Sequence, residues 1–150
     1  MAATPERLRP GIGLRPGGER PDLEPAVGTL YAALFEAIAA TSRLGLAVVA
    51  DLGIHDGYTC PLGIWEMMQA QLAGLPLLTV GIVCPLDVIM ARRNADPKGG
   101  FYAAGADIPP PVARWQAAVH AGHAYDLTLD TARHTPADCA AAIRAALPPQ

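Results

Sequence analysis

Asp51, His55 and Asp56 fall within six positions, directly after the apolar run Leu46 to Ala50. Carboxylates and an imidazole at the end of such a run suit metal-assisted or acid–base chemistry, because ligands of open α/β sheets bind outside the carboxyl ends of the strands. A lone acid there also suits a turn, so the other reactive residues must decide. Arg92 and Arg93 stand together before a glycine-rich stretch. Guanidinium forks clamp phosphate oxygens and stabilise charge in phosphoryl transfer. Arginine in the last turn of a helix also answers the helix dipole, so taken alone the pair reads as a solvated helix end.

Other chemistries find no support. The four histidines are scattered without an HxxxH pair, which argues against a structural zinc site. The single serine, Ser42, stands at a helix end without a glycine elbow. Cys84 and Cys139 lie on apolar faces and read as packing residues. A phosphate-binding GxxxxGK[ST] loop is missing from these 150 residues, since the only lysine, Lys98, is followed by Gly99. Gly11 and Gly13 give two glycines of a dinucleotide fingerprint, but they follow no strand and open no helix.

The elements that must position these residues are legible from periodicity. Residues 1 to 25 are turn chemistry, with five prolines and four glycines, and read as an irregular arm carrying Arg15. Ala26 to Arg43 has helical spacing, with Leu30, Leu34 and Ile38 at four-residue steps and Tyr31 and Phe35 beside them as one broad apolar face, and with Gly45 as its stop. Leu46 to Ala50 reads as a strand buried on both faces, and as the centre of the fold. Pro61 then opens a helix with Ile64, Met67, Met68 and Leu72 inside. Leu77 to Cys84 reads as a second doubly buried strand, followed by a helix over Leu86 to Asn94. Asp96 to Ile108, with Lys98 and three glycines, has the composition of a lid. A short helix carrying Val112, Trp115 and Val119 follows. Tyr125 to Asp130 alternates like a strand nearer the sheet edge. Thr135, Pro136 and Asp138 give the last helix a capping box. Strands separated by helices imply a parallel sheet, and hence an α/β fold.

Composition bounds the rest. A chain of 15.6 kDa with 51% hydrophobic residues and mean hydropathy +0.24 suits one globular domain. The net charge of −3 offers no basic field for a nucleic acid. Three distant cysteines without a CxxC pair suit a reducing cytoplasm. No apolar run approaches a membrane span.

Several stretches carry more information together than singly: RLRPGIGLRPGGERPDLEP, LYAALFEAIA, LGLAVVADLGIHD, LAGLPLLTVGIVCPLDVIMARR, RWQAAVH and YDLTLDT. In order and spacing they resemble the chloramphenicol phosphotransferase-like family of P-loop kinases, from Arg7 to Leu147. The most specific pieces are VGIVCPLDVIMARR and VHAGHAYDLTLDT.

The resemblance implies a parallel sheet flanked by helices, a three-layer core, and an ATP- and Mg²⁺-dependent phosphotransferase acting on a small-molecule hydroxyl. Asp51 matches the acid near the Mg²⁺ and Arg92 a lid-base arginine, so these two are the expected catalytic residues, with Asp51 also the metal ligand. Arg15, His55 and Asp56 are expected at the substrate, and Arg93 and Lys98 at the nucleotide. Where the family can carry further lid arginines, this sequence reads Asp96-Pro97-Lys98-Gly99. The family also begins with a strand and a GxxxxGK[ST] loop, then a second strand with a catalytic acid, and neither is in this sequence. The expectation is therefore a core without its first two strands, inactive as it stands, with open sheet edges that invite self-association. A non-catalytic binding or regulatory protein derived from the kinase fold is the alternative.

Overall fold

The computed structural model describes residues 21–96 and 105–147. They form five α-helices and a two-stranded sheet in the order α1 (Glu24–Arg43), α2 (Ile64–Gln71), β1 (Val80–Val83), α3 (Leu86–Ala95), α4 (Pro110–Ala118), β2 (Leu127–Asp130) and α5 (Pro136–Ala146). The chain divides into two compact units. One takes in Met1–Leu75 and Arg114–Ala121, the other Pro76–Ala113 and Gly122–Gln150.

In the first unit, regular structure begins earlier than composition suggests. A 3-10 turn covers Pro21–Leu23, and Pro25 sits inside the first turn of α1, where its missing N–H costs nothing. The helix ends where Gly45, at φ 79°, donates its N–H to the Ser42 carbonyl at 2.9 Å. Its buried positions are Glu24, Phe35 and Ala39, with Tyr31 tilted against Phe35 at 5.7 Å between ring centroids. Of the broad apolar face expected, the side carrying Tyr31 and Phe35 is thus the inner one, while Leu30 is 69% exposed and Leu34 38%. Rows one residue apart lie about 100° apart around a helix, and the row carrying the two aromatic rings faces inward. Against α1 packs α2, which buries Ile64, Trp65 and Met68. It starts at Gly63, in the left-handed region at φ 60°, so Pro61 precedes the helix rather than opening it.

Between α1 and α2 the structure corrects the central expectation. Residues 46–57 carry no strand, and Leu46, Val48 and Val49 are 59%, 41% and 98% exposed. β-branched residues favour extended backbone, but a strand also needs a neighbour that completes its ladder. Among the described residues this segment has none.

The second unit holds the sheet. β1 and β2 pair in parallel with Val80 opposite Leu127 and Val83 opposite Asp130. Both strands are shorter than their apolar runs, and Ile82 is 48% exposed, so the expected double burial of Leu77 to Cys84 does not hold. Below the strands, Asp126 Oδ2 accepts from the Thr79 N–H at 2.7 Å and the Thr79 hydroxyl at 2.6 Å, pinning their entry points together. Beyond β2, α5 opens with the anticipated box: Asp138 N–H donates to Thr135 Oγ1 at 3.2 Å, and Thr135 N–H donates back to Asp138 Oδ2 at 3.0 Å. Cys139 is buried on its inner face.

Candidate functional site

The carboxyl ends of the two parallel strands are closed by Thr131. This residue directly follows β2 and donates its N–H to the Val83 carbonyl at 2.9 Å, with its hydroxyl donating to the same oxygen at 3.3 Å. Arg92 reaches it from the last turn of α3. Its Nη2 donates to the Thr131 carbonyl at 2.6 Å, and its Nη1 to Thr131 Oγ1 at 3.2 Å and to Cys84 Sγ at 3.6 Å. A chain of hydrogen bonds thus runs from guanidinium to hydroxyl to strand end. It fixes a delocalised cation where parallel sheets place their ligands.

Beside Arg92 lies a pocket of about 470 Å³. Ile82, Cys139, Ala140 and Ile143 supply apolar walls; Arg92, Thr131 and His134 supply the polar ones. This mixture of an apolar body with few polar groups is the usual make-up of a small-molecule site. The loop that holds its rim is well determined. Asp130 Oδ1 accepts from Ala132 N–H at 2.9 Å, and the Asp130 carbonyl accepts from Arg133 and His134 N–H at 3.1 Å each.

Near the end of α3, Asn94 exchanges two hydrogen bonds with Gly105, its Nδ2 donating to the carbonyl at 2.9 Å and its Oδ1 accepting from the N–H at 3.2 Å. Asn94, two residues before the stretch expected as a lid, is thereby bonded to Gly105 within it. Most of that stretch, including Lys98, lies outside the described residues, as does Arg15.

In the first unit, His55 and Asp56 are engaged in local structure. His55 is 4% exposed, stacked on Tyr58 at 4.6 Å between centroids and met edge-on by Trp115 at 5.1 Å. Its Nδ1 accepts the Gly57 N–H at 3.0 Å, which puts any ring proton of the neutral form on Nε2. Burial lowers its pKa, against a smaller opposing effect of the Asp56 carboxylate. Trp115 can lie this close because residue 53 is glycine; a Cβ there would stand 2.8 Å from the indole. Asp56 Oδ1 accepts from the Leu62 and Gly63 N–H groups at 3.1 and 3.2 Å, shaping the approach to α2. Asp51 is exposed.

Of the anticipated residues, Asp51, His55 and Asp56 belong to one unit and Arg92 and Arg93 to the other. Arg93 is half-buried, one position and about 100° around α3 from the exposed Arg92. Thr131 closes the stretch VHAGHAYDLTLDT but was not expected at the site, and His134 was not singled out at all. The one signal that could have found them is their position in a short turn between a parallel strand and a capped helix, where ligand-facing loops sit. Among the described residues, no group of three or more His, Cys, Asp or Glu side chains is arranged to hold a metal ion.

The sequence model of one family, chloramphenicol phosphotransferase-like protein, matches residues 1–148. The comparison with curated proteins finds no match.

Proposed function

The chain belongs to the chloramphenicol phosphotransferase-like family, and from that premise we propose that it serves ATP-dependent phosphoryl transfer to a hydroxyl of a small molecule, on a P-loop kinase-like core. The observation that carries the reading is Arg92, tied through Thr131 to the ends of both parallel strands and opening on a pocket. A guanidinium held in this way needs no reorganisation as negative charge grows on a moving phosphoryl group.

Mg²⁺ is implied by the family resemblance, and it is commonly bound through one or two carboxylates together with substrate phosphates and water. Asp51, exposed at the end of its segment, is the proposed carboxylate. When bound, Mg-ATP supplies the phosphoryl group and the neutralising metal charge. Arg92 orients the anion and Thr131 holds Arg92 in place. The apolar walls of the pocket exclude water from one side of the bound molecule. As the family resemblance implies, Arg93 and Lys98 are proposed at the nucleotide, and Arg15, His55 and Asp56 at the substrate.

The test is ATP-dependent phosphorylation of small hydroxyl compounds, with chloramphenicol among them. Because these 150 residues hold no GxxxxGK[ST] loop, it is run on the chain as given and, where the DNA before Met1 reads on in frame, on the chain so extended. Arg92→Ala should lower kcat at least about tenfold, the effect of ~1.4 kcal/mol, and change the nucleotide KM less. A change in KM alone would show that Arg92 contributes only ground-state binding. Ligand binding without turnover in either form would favour the non-catalytic alternative.

A further inference from the structure

The pocket beside Arg92 contains a second side chain suited to a ligand. His134 lines the pocket and is exposed. Its backbone is held by the Asp130 carbonyl, so the side chain is presented from a fixed turn. Among the described residues its imidazole takes part in no hydrogen bond, whereas His55 and His123 both use a ring nitrogen, towards Gly57 and Tyr125. The neighbouring Asp138 does not occupy it either. That carboxylate is bound to the Thr135 hydroxyl at 2.6 Å and the Thr135 N–H at 3.0 Å, and these bonds hold its pKa below the ordinary value, with a small further contribution from His134.

We propose that His134 is a ligand-recognising residue of this pocket, its ring donating a hydrogen bond to a phosphorylated organic ligand whose anionic end meets Arg92. The proposal rests on the phosphoryl-transfer reading above and adds a residue to it. The chemistry is complementary. Arg92 presents a planar fork suited to phosphate oxygens, while an imidazole N–H selects one acceptor at the edge of the ligand. The same pocket is lined by Ile82, Cys139, Ala140 and Ile143, which suit the apolar part of an organic phosphate better than an inorganic anion.

The experiment follows histidine-ring and arginine-side-chain NMR signals of the full chain during titration with Mg-ATP and, separately, with inorganic tripolyphosphate. The His134 signal is assigned by its loss in His134→Gln. Expected are shifts at Arg92 with both probes, a larger shift at His134 with Mg-ATP, and a Kd for Mg-ATP raised about fivefold in His134→Ala, equivalent to ~1 kcal/mol. His134→Gln keeps an N–H donor and should recover most of that loss. Since the residue is exposed, both variants should keep the wild-type backbone spectrum. Shifts at Arg92 together with unchanged affinity in His134→Ala would overturn the role of His134 and leave the phosphate reading standing. An Arg92 signal unmoved by either probe would overturn that reading, and the role of His134 with it.

Discussion

A methyl group added at Gly81 should destabilise the sheet, even though alanine is ordinarily preferred to glycine within a strand. Gly81 is the second residue of β1, buried and opposite Thr128. An ideal Cβ there would stand 2.5 Å from Tyr125 Cδ2, 2.7 Å from Cε2 and 2.9 Å from Cγ. Comfortable carbon contacts lie at about 3.5–4.0 Å, so the ring would have to retreat by roughly 1 Å. It is poorly placed to do so. Its edge meets His123 at 90°, with the hydroxyl 3.3 Å from His123 Nδ1, and the next residue, Asp126, is pinned to Thr79. Because Cγ is among the clashing atoms, rotation about χ2 alone gives no relief. Overpacking of this kind costs about 1–3 kcal/mol, and the lower chain entropy of unfolded alanine returns about 0.4–1 kcal/mol. The net loss expected for Gly81→Ala is about 1–2 kcal/mol. Trp65 and Trp115 both lie in the other unit, so the suitable readouts are amide exchange across the β1–β2 ladder and the urea midpoint by far-UV circular dichroism. Combining Gly81→Ala with Tyr125→Ala should return a coupling of about the same size. Wild-type protection in Gly81→Ala, or additivity of the pair within about 0.5 kcal/mol, would refute the reasoning.

Glu24, buried at the start of α1, accepts the Thr59 N–H at 2.9 Å; Glu24→Ala should lose about 1–3 kcal/mol in urea unfolding followed by tryptophan fluorescence, and Glu24→Gln, which keeps an acceptor, should lose less. His55 has its pKa lowered by burial from the ordinary 6.5, so the unfolded chain binds the proton more readily. Stability of that unit should be full above this value and decline as pH falls through the lower folded one, a slope that His55→Phe should flatten in thermal unfolding between about pH 7.5 and pH 5. Thr135→Val removes the hydroxyl that caps α5 and should cost about 1 kcal/mol, seen first as faster amide exchange in the opening turn of that helix.

What the sequence disclosed follows the range of each signal. The capping box of α5 and the stop of α1 at Gly45 are decided within four residues, and both are present. α3 also matches its expected span to within a residue, because Pro85 and the terminal arginines mark its ends locally. The apolar face of α1 is legible as one broad stripe of two rows, of which the row of Tyr31, Phe35 and Ala39 faces inward while Leu30 and Leu34 stay exposed. Only the partner, α2, distinguishes the two rows, and it lies more than twenty residues on.

The candidate site shows the same limit more sharply. Leu46 to Ala50 and Val80 to Val83 are similar apolar, β-branched runs. One stands exposed without a ladder, while the other is paired with β2. Composition favours extended backbone in both, yet pairing depends on a second segment that the run itself does not encode. The same holds for side chains. Asp51 and Arg92 were both singled out by chemical type and by their match to family residues, and neither signal fixes what a side chain touches. Arg92 gains a defined position because Thr131, 39 residues further on, binds two of its nitrogens. Threonine carries no charge, and although Thr131 closes the stretch YDLTLDT, nothing in that stretch marks it as a positioning residue. Its role exists only once β1 and β2 pair in their observed register, with Thr131 donating to Val83 at the strand end. Shifting that register by one residue would move Thr131 away from Val83 and leave Arg92 a solvated helix-end cation.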